Sequence, residues 1–251
     1  MFYGIPPEKM QDFQRAMETL ASVYPGNVYA GDMLITIGRN LSFRSDRKFM
    51  DSYSTSVETD QEKSLIWRLQ VLAWAAQNAL FVEGDFVECG VLKGLCSEVI
   101  CKYLGFQDLP RHFFLYDTFA GMPEETSTEQ ERSQYPSYMK MDSDSLYKQV
   151  CDRFAVYGNV QVVKGIVPNS FAQAAPEKIA FMHLDMNSEQ AEILALEHLF
   201  DKIVPGGIIV LDDFGWNSAI NQCKAELAFM RNRGHAILEL PTGQGLILKH
   251  R

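Results

Sequence analysis

The stretch His235-Ala236-Ile237-Leu238-Glu239-Leu240-Pro241-Thr242-Gly243-Gln244-Gly245-Leu246-Ile247-Leu248-Lys249 reads as two apolar runs around a turn of Pro, Thr, Gly and Gln. Five linking residues are too few for a crossover, so the two runs are expected to pair as an antiparallel hairpin. Upstream, the runs Phe86–Glu88, Phe113–Tyr116, Val160–Val163, Ile179–Leu184 and Ile208–Leu211 alternate with helical segments. That is the β-α alternation of a mostly parallel sheet. The chain is therefore read as α/β, with a Rossmann-like sheet of seven strands ending in an antiparallel hairpin. Dinucleotide folds usually end in a parallel sixth strand, and the reversal sets this sheet apart from them.

Ahead of the sheet, Met10, Phe13, Met17, Leu20 and Tyr24 recur at intervals of three and four and predict an amphipathic helix over 8–24. Residues 25–58 lose that period and read as irregular, with short helical pieces. Thr59-x-x-Glu62 has capping-box spacing and predicts a second long helix, running to about residue 82. The division expected is a helical appendage or lid over 1–83, followed by the sheet domain over 84–251. Residues 120–141 form the one long non-periodic stretch beyond Gly84, as a functional lid does, although disorder gives the same pattern.

Composition removes several function classes. Lys and Arg number 23 against 32 Asp and Glu among 251 residues, a net charge of −9 that would repel a phosphate backbone. The five cysteines include no C-x-x-C pair, which points to a reducing cytoplasm rather than to a disulfide framework or a thiolate zinc site. The first residues, Met1 to Lys9, lack the pattern of a secretory signal, and no apolar run approaches the ~18 residues of a membrane span. Neither nucleic acid nor membrane is an expected partner.

The candidate chemistry gathers at the carboxyl ends of the strands. Glu88-Cys89-Gly90-Val91-Leu92-Lys93-Gly94 leads from the first sheet strand into a helix, with Gly90 permitting a tight turn and Gly94 a close approach. It lacks G-x-G-x-x-G, and Glu88 adds a carboxylate where phosphates would sit, which favours a cationic or amine-bearing ligand. Asp117, followed by Thr118 and Phe119 at the tip of the second strand, suits ribose hydroxyls, with turn capping the alternative role. Asp185 after the fourth strand and Asp212-Asp213 after the fifth offer the oxygen ligands that a hard divalent cation prefers; acids after a strand also cap helices. His183 shares a face with Asp185 and, on a buried strand, reads first as packed and hydrogen-bonded.

Together these segments resemble the macrocin O-methyltransferase family, S-adenosylmethionine (SAM)- and Mg²⁺-dependent enzymes that methylate sugar hydroxyls in antibiotic biosynthesis. The resemblance is carried by 84–91, by Leu115-Tyr116-Asp117-Thr118-Phe119-Ala120-Gly121-Met122-Pro123-Glu124, by 204–213 and by 240–245, with a further similar segment at 41–49. A reversed seventh strand is also typical of class I SAM methyltransferases. The resemblance implies SAM held by Glu88, Gly90, Gly94, Asp117, Thr118, Phe119, Gly165, Ile166 and Asp185, and Mg²⁺ on Asp185, Asp212 and Asp213. It also implies transfer to a hydroxylated sugar or polyol, and a homo-oligomer. Where the family carries D-x-D, this chain has Asp185-Met186-Asn187. The base is then His183 or Lys164, or the metal alone acidifies the hydroxyl, or catalysis is lost. The last case is the alternative function, a non-catalytic SAM-binding protein. An NAD oxidoreductase is disfavoured by the missing glycine motif, and a nucleic-acid methyltransferase by charge and the lack of a base-flipping motif.

Overall fold

The computed structural model describes residue 2 and residues 5–250; Met1, Tyr3 and Gly4 of the N-terminal stretch read above lie outside the described residues. The chain divides into two compact units, Met1–Gln70 and Val71–Arg251. This division falls earlier than 83/84, inside helix α4 (Ile66–Ala79). The reason is packing: Ala75, Ala76 and Ala79 are buried, Tyr103 donates to Gln77 at 3.1 Å, and Arg111 donates to the Ala79 carbonyl at 3.3 Å.

The first unit contains helix α1 (Met10–Val23), as its apolar period predicts. Residues 25–58, read as irregular, instead include a β-hairpin of β1 (Val28–Gly31) and β2 (Leu34–Ile37) before helix α2 (Arg47–Ser54). Asp32 and Met33 turn that hairpin with positive φ, a two-residue link that carries neither of the usual glycines and so leaves no plain signal. Buried Arg68 pairs with Asp32 at 3.1 Å and fixes the turn. The Thr59–Glu62 capping box forms as predicted, but it starts a short helix, α3 (Asp60–Ser64), which ends at Leu65 before α4 begins.

The second unit is built on a seven-stranded sheet of β3 (Asp85–Cys89), β4 (Phe113–Asp117), β5 (Val160–Lys164), β6 (Ile179–Leu184), β7 (Ile203–Leu211), β8 (Leu238–Glu239) and β9 (Gly245–Leu248). Its order is β5-β4-β3-β6-β7-β9-β8. β3 to β7 run parallel, and β9 returns antiparallel between β7 and β8. The predicted hairpin is present, with its first arm trimmed to two residues. Phe86, Phe113 and Phe181 interlock with Phe106, with ring centroids 5.2–6.5 Å apart, so the strands carry near-continuous apolar runs, as a sheet covered on both faces requires.

Helices α5 (Leu95–Leu104), α7 (Ser143–Phe154), α8 (Glu189–Leu199) and α9 (Ile220–Asn232) connect or flank the strands. The stretch 120–141 is not wholly irregular: it contains helix α6 (Glu129–Gln134), opened by a second capping box between Thr128 and Glu131. Thr128→Ala should cost about 1 kcal/mol of local stability. Hydrogen exchange is expected to show faster exchange confined to α6. Among the described residues no helix is long and apolar enough to cross a membrane.

Candidate active site

The carboxyl ends of β3, β4, β5 and β6 open onto a cleft of about 800 Å³, part of it open to solvent, lined in part by Gly90, Asp117, Phe119, Ile166, Asp185 and Asn187. This is where doubly wound sheets bind ligands. Gly90 has φ of 89°, and a Cβ there would lie 1.9 Å from the Asp185 carbonyl oxygen. Only glycine lets the tips of β3 and β6 approach so closely. Gly94 also has positive φ, but the space it keeps open is filled by the Phe154 ring, 2.7 Å from where a Cβ would stand, so it serves helix packing.

Asp117 binds the β3–α5 loop. Its Oδ2 accepts the amides of Val91 at 2.6 Å and Leu92 at 2.8 Å, and its Oδ1 accepts the Phe119 amide at 2.6 Å. Two loop amides that would face a pyrophosphate in a dinucleotide fold are therefore engaged by a carboxylate. Oδ1 retains acceptor capacity for a hydroxyl. Thr118 and Gly165 also line the cleft, beside Met122, Tyr138 and Leu146 from the 120–146 region.

Behind the cleft lies a buried ionic row that strand register creates. Glu88 and His183 are direct partners on β3 and β6, and Asp212 extends the β7 face that begins beside His183 at Val210. His183 Nδ1 lies 2.8 Å from Glu88 and Nε2 lies 3.4 Å from Asp212, with the imidazole 0% exposed. Burial lowers the imidazole pKa, but the hydrogen bonds and charges of Asp212 and Glu88 outweigh it and push it up from 6.5 to about 10. His183 thus stands between two acids that favour its charged form. Ser97 donates to the other oxygen of Glu88, and Gln244 donates to Asp212 at 3.0 Å.

Sequence reasoning missed Ser97 and Gln244. Gln244 lies in the hairpin turn that decided the fold, 0% exposed, its own oxygen accepting from Thr242 at 2.9 Å. The readable signal was a long amide between two glycines. Gln244→Leu should destabilise the protein by about 1–3 kcal/mol, because Asp212 loses a buried donor. Urea unfolding measures this.

The other expected residues separate. The carboxylate oxygens of Asp185 and Asp212 come within 4.8 Å of each other beside the His183 ring, whose nitrogens are committed to Glu88 and Asp212. Asp213 instead lines a second, polar cavity with Gln134, Tyr135, Asn221 and Gln222. Asn187, at φ of 55°, lines both cavities, and its Nδ2 donates to Asp185 Oδ1 at 3.3 Å. Tyr135 in the second cavity stacks on Tyr138 in the first, centroids 5.3 Å apart. Glu88 and Lys164 lie outside the lining of the cleft: Glu88 is turned towards α5, and Lys164 pairs with Asp144 at 2.7 Å over the Tyr147 ring.

Comparison with known proteins gives the family and the fold. A profile of the macrocin-O-methyltransferase (TylF) family matches residues 66–239. The chain is 27% identical over 179 residues to 8-demethyl-8-(2,3-dimethoxy-alpha-L-rhamnosyl)-tetracenomycin-C 4'-O-methyltransferase of Streptomyces olivaceus, covering 66% of each chain. It is 26% identical to mycinamicin III 3''-O-methyltransferase of Micromonospora griseorubida, covering 66% of this chain and 68% of that one. The match thus spans about two thirds of the length of these curated relatives. Among solved structures, the O-methyltransferase NovP shares the fold with a TM-score of 0.63 at 17% identity, over 74% of this chain and 81% of that one.

Proposed function

Because the chain belongs to the macrocin-O-methyltransferase family, we propose that it transfers the methyl group of SAM to a hydroxyl of a small-molecule acceptor, a sugar of a glycosylated natural product. The observation that carries this reading is the pair of adjoining cavities that share Asn187. The first, largely apolar and edged by Asp117, suits an adenosyl group; the second, lined with amides and carboxylates, suits a polyhydroxylated ring. In this reading Gly90, Asp117, Thr118, Phe119, Gly165, Ile166 and Asp185 face the cofactor, while Glu88 and Gly94 support the wall from behind.

Transfer needs the acceptor oxygen in line with the sulfonium methyl. The O–C bond forms as the S–C bond breaks, and the hydroxyl proton leaves. Holding two reactants in that geometry supplies much of the rate. Asp185 takes the hydroxyl proton in this account, with its carboxylate held by the Asn187 amide. His183 is unsuited to the task, since both its nitrogens face carboxylates that favour its charged form. Lys164 is occupied by Asp144.

The donor set fits a divalent cation: Asp185 and Asp212 bring oxygens within 4.8 Å of each other, and Mg²⁺ needs only one or two carboxylates alongside water. When bound, the ion supplies Lewis acidity that lowers the pKa of an acceptor hydroxyl. Asp213 lines the second cavity.

Incubation with methyl-labelled SAM and a panel of deoxysugar glycosides, with Mg²⁺ or with EDTA, tests the proposal. Label in a glycoside is the expected result, reduced by EDTA. SAM binding without label in any member would favour the non-catalytic reading that Asn187 raises, and no SAM binding would sink both.

A further inference from the structure

Two glutamates unused by this chemistry lie behind the Asp185–Asn187 turn. Glu192 on α8 and Glu226 on α9 are each 0% exposed, and their carboxyl groups face each other. Glu192 Oε1 accepts the Met186 amide at 3.0 Å, and Glu226 Oε1 accepts from Gln222 at 3.4 Å. The remaining oxygens, Oε2 of each, are sealed from solvent and meet no amide, amine or hydroxyl donor. Two ionised carboxylates have no hydrogen to share, and burying both charges side by side costs several kcal/mol. One proton shared between the two carboxyl groups relieves both the charge and the missing donor.

We propose that Glu192 and Glu226 share one proton and act as a positioning pair, holding the Met186 amide and with it the turn that presents Asp185 and Asn187. The consequence for the reaction rests on the methyl-transfer reading above; the shared proton does not. Asn187 sits in the left-handed region at φ of 55°, a conformation that surrounding contacts must hold in place. Ser188 anchors the far side of the turn through its hydrogen bond to the Thr126 carbonyl, and Glu192 anchors the near side. The acidic surroundings agree with the assignment of the proton. Burial, then the charge of Glu226, raise the Glu192 carboxyl well above its ordinary range, while Glu226, lifted chiefly by burial to about 7, accepts the bond. Asp213 and Cys223 also act in the raising direction, and the buried Cys89 thiol is a further titrating neighbour of Glu192.

Infrared spectroscopy of the full chain at neutral pH tests this, because a protonated carboxyl has a carbonyl stretch well separated from that of a carboxylate. The wild type should show that band, Glu192→Gln should lack it, and Glu226→Gln should keep it at a shifted position. Glu192→Gln should also retain the protection of the Met186 amide, since its own oxygen still accepts and its amide replaces the shared proton. Glu192→Leu should lose that protection by about tenfold or more, the cost of one buried hydrogen bond. A wild type without the band, or a band unchanged in Glu192→Gln, would overturn the proposal. Should Glu192→Gln fail to fold, an unchanged band in Glu226→Gln does the same. These readouts need no acceptor, so failure of the methyl-transfer reading would appear separately, as absent SAM binding beside an intact band.

Discussion

Replacing His183 with Leu should destabilise the protein by about 3–5 kcal/mol, the cost of removing one partner from a buried ionic contact. The imidazolium lies between Glu88 and Asp212, with the ring and both acids almost wholly out of solvent. Leucine fills similar volume but leaves two carboxylates in one pocket, with Ser97 on one and Gln244 on the other as neutral donors. Those donors each contribute only about 1.5–3 kcal/mol to a charged acceptor, too little to hold both ionised. One acid should then protonate. The comparison that isolates charge from packing is the triple change His183→Leu, Glu88→Leu, Asp212→Leu, which should recover much of the loss, as buried ion networks replaced by apolar groups often do. Urea unfolding of the single and triple variants checks this. A single variant as stable as the wild type would show that the row is not ionic.

Replacing Asp185 with Asn should reduce methyl transfer about 10²–10⁴-fold, the range of a lost general base. Affinity for S-adenosylhomocysteine should fall far less than turnover. The two halves of that expectation come from different contacts. Asp185 stands where the cleft reaches Asn187, the residue shared with the second cavity, whereas the β3–α5 loop is held by Asp117 and does not depend on Asp185. Asparagine keeps the size and one oxygen but cannot take a proton. Equal losses in cofactor affinity and turnover would instead assign Asp185 to cofactor binding. Asn187→Asp, which restores the D-x-D pattern, adds a second acid but removes the amide that holds Asp185, so transfer should change less than in Asp185→Asn.

The elements that the sequence made legible were those specified by local pattern. Runs of branched and aromatic residues located every strand of the large sheet, and a five-residue turn was enough to reverse the last one. The Thr59–Glu62 capping box was readable because its partners are three residues apart. The glycine-bounded cleft was readable for the same reason, since Gly90 and Asp117 sit at strand tips whose positions follow from the alternation. What stayed hidden depends on register and on long-range contact. That Glu88 meets His183 rather than a ligand follows from the pairing of β3 with β6, 95 residues apart in sequence. That Gln244 reaches Asp212 depends on β9 being inserted between β7 and β8. The small hairpin at 28–37 escaped because Asp32 and Met33, not glycines, take its positive φ values, and buried Arg68 holds them from a distant helix.

A structure of the protein with S-adenosylhomocysteine tests the central claim most directly. The account predicts the adenosyl group in the cleft between Gly90, Asp117 and Ile166, a ribose hydroxyl on Asp117, and the sulfur towards Asp185 and Asn187, where the polar cavity begins. An empty cleft at saturating ligand, or the ligand bound elsewhere on the chain, would contradict it.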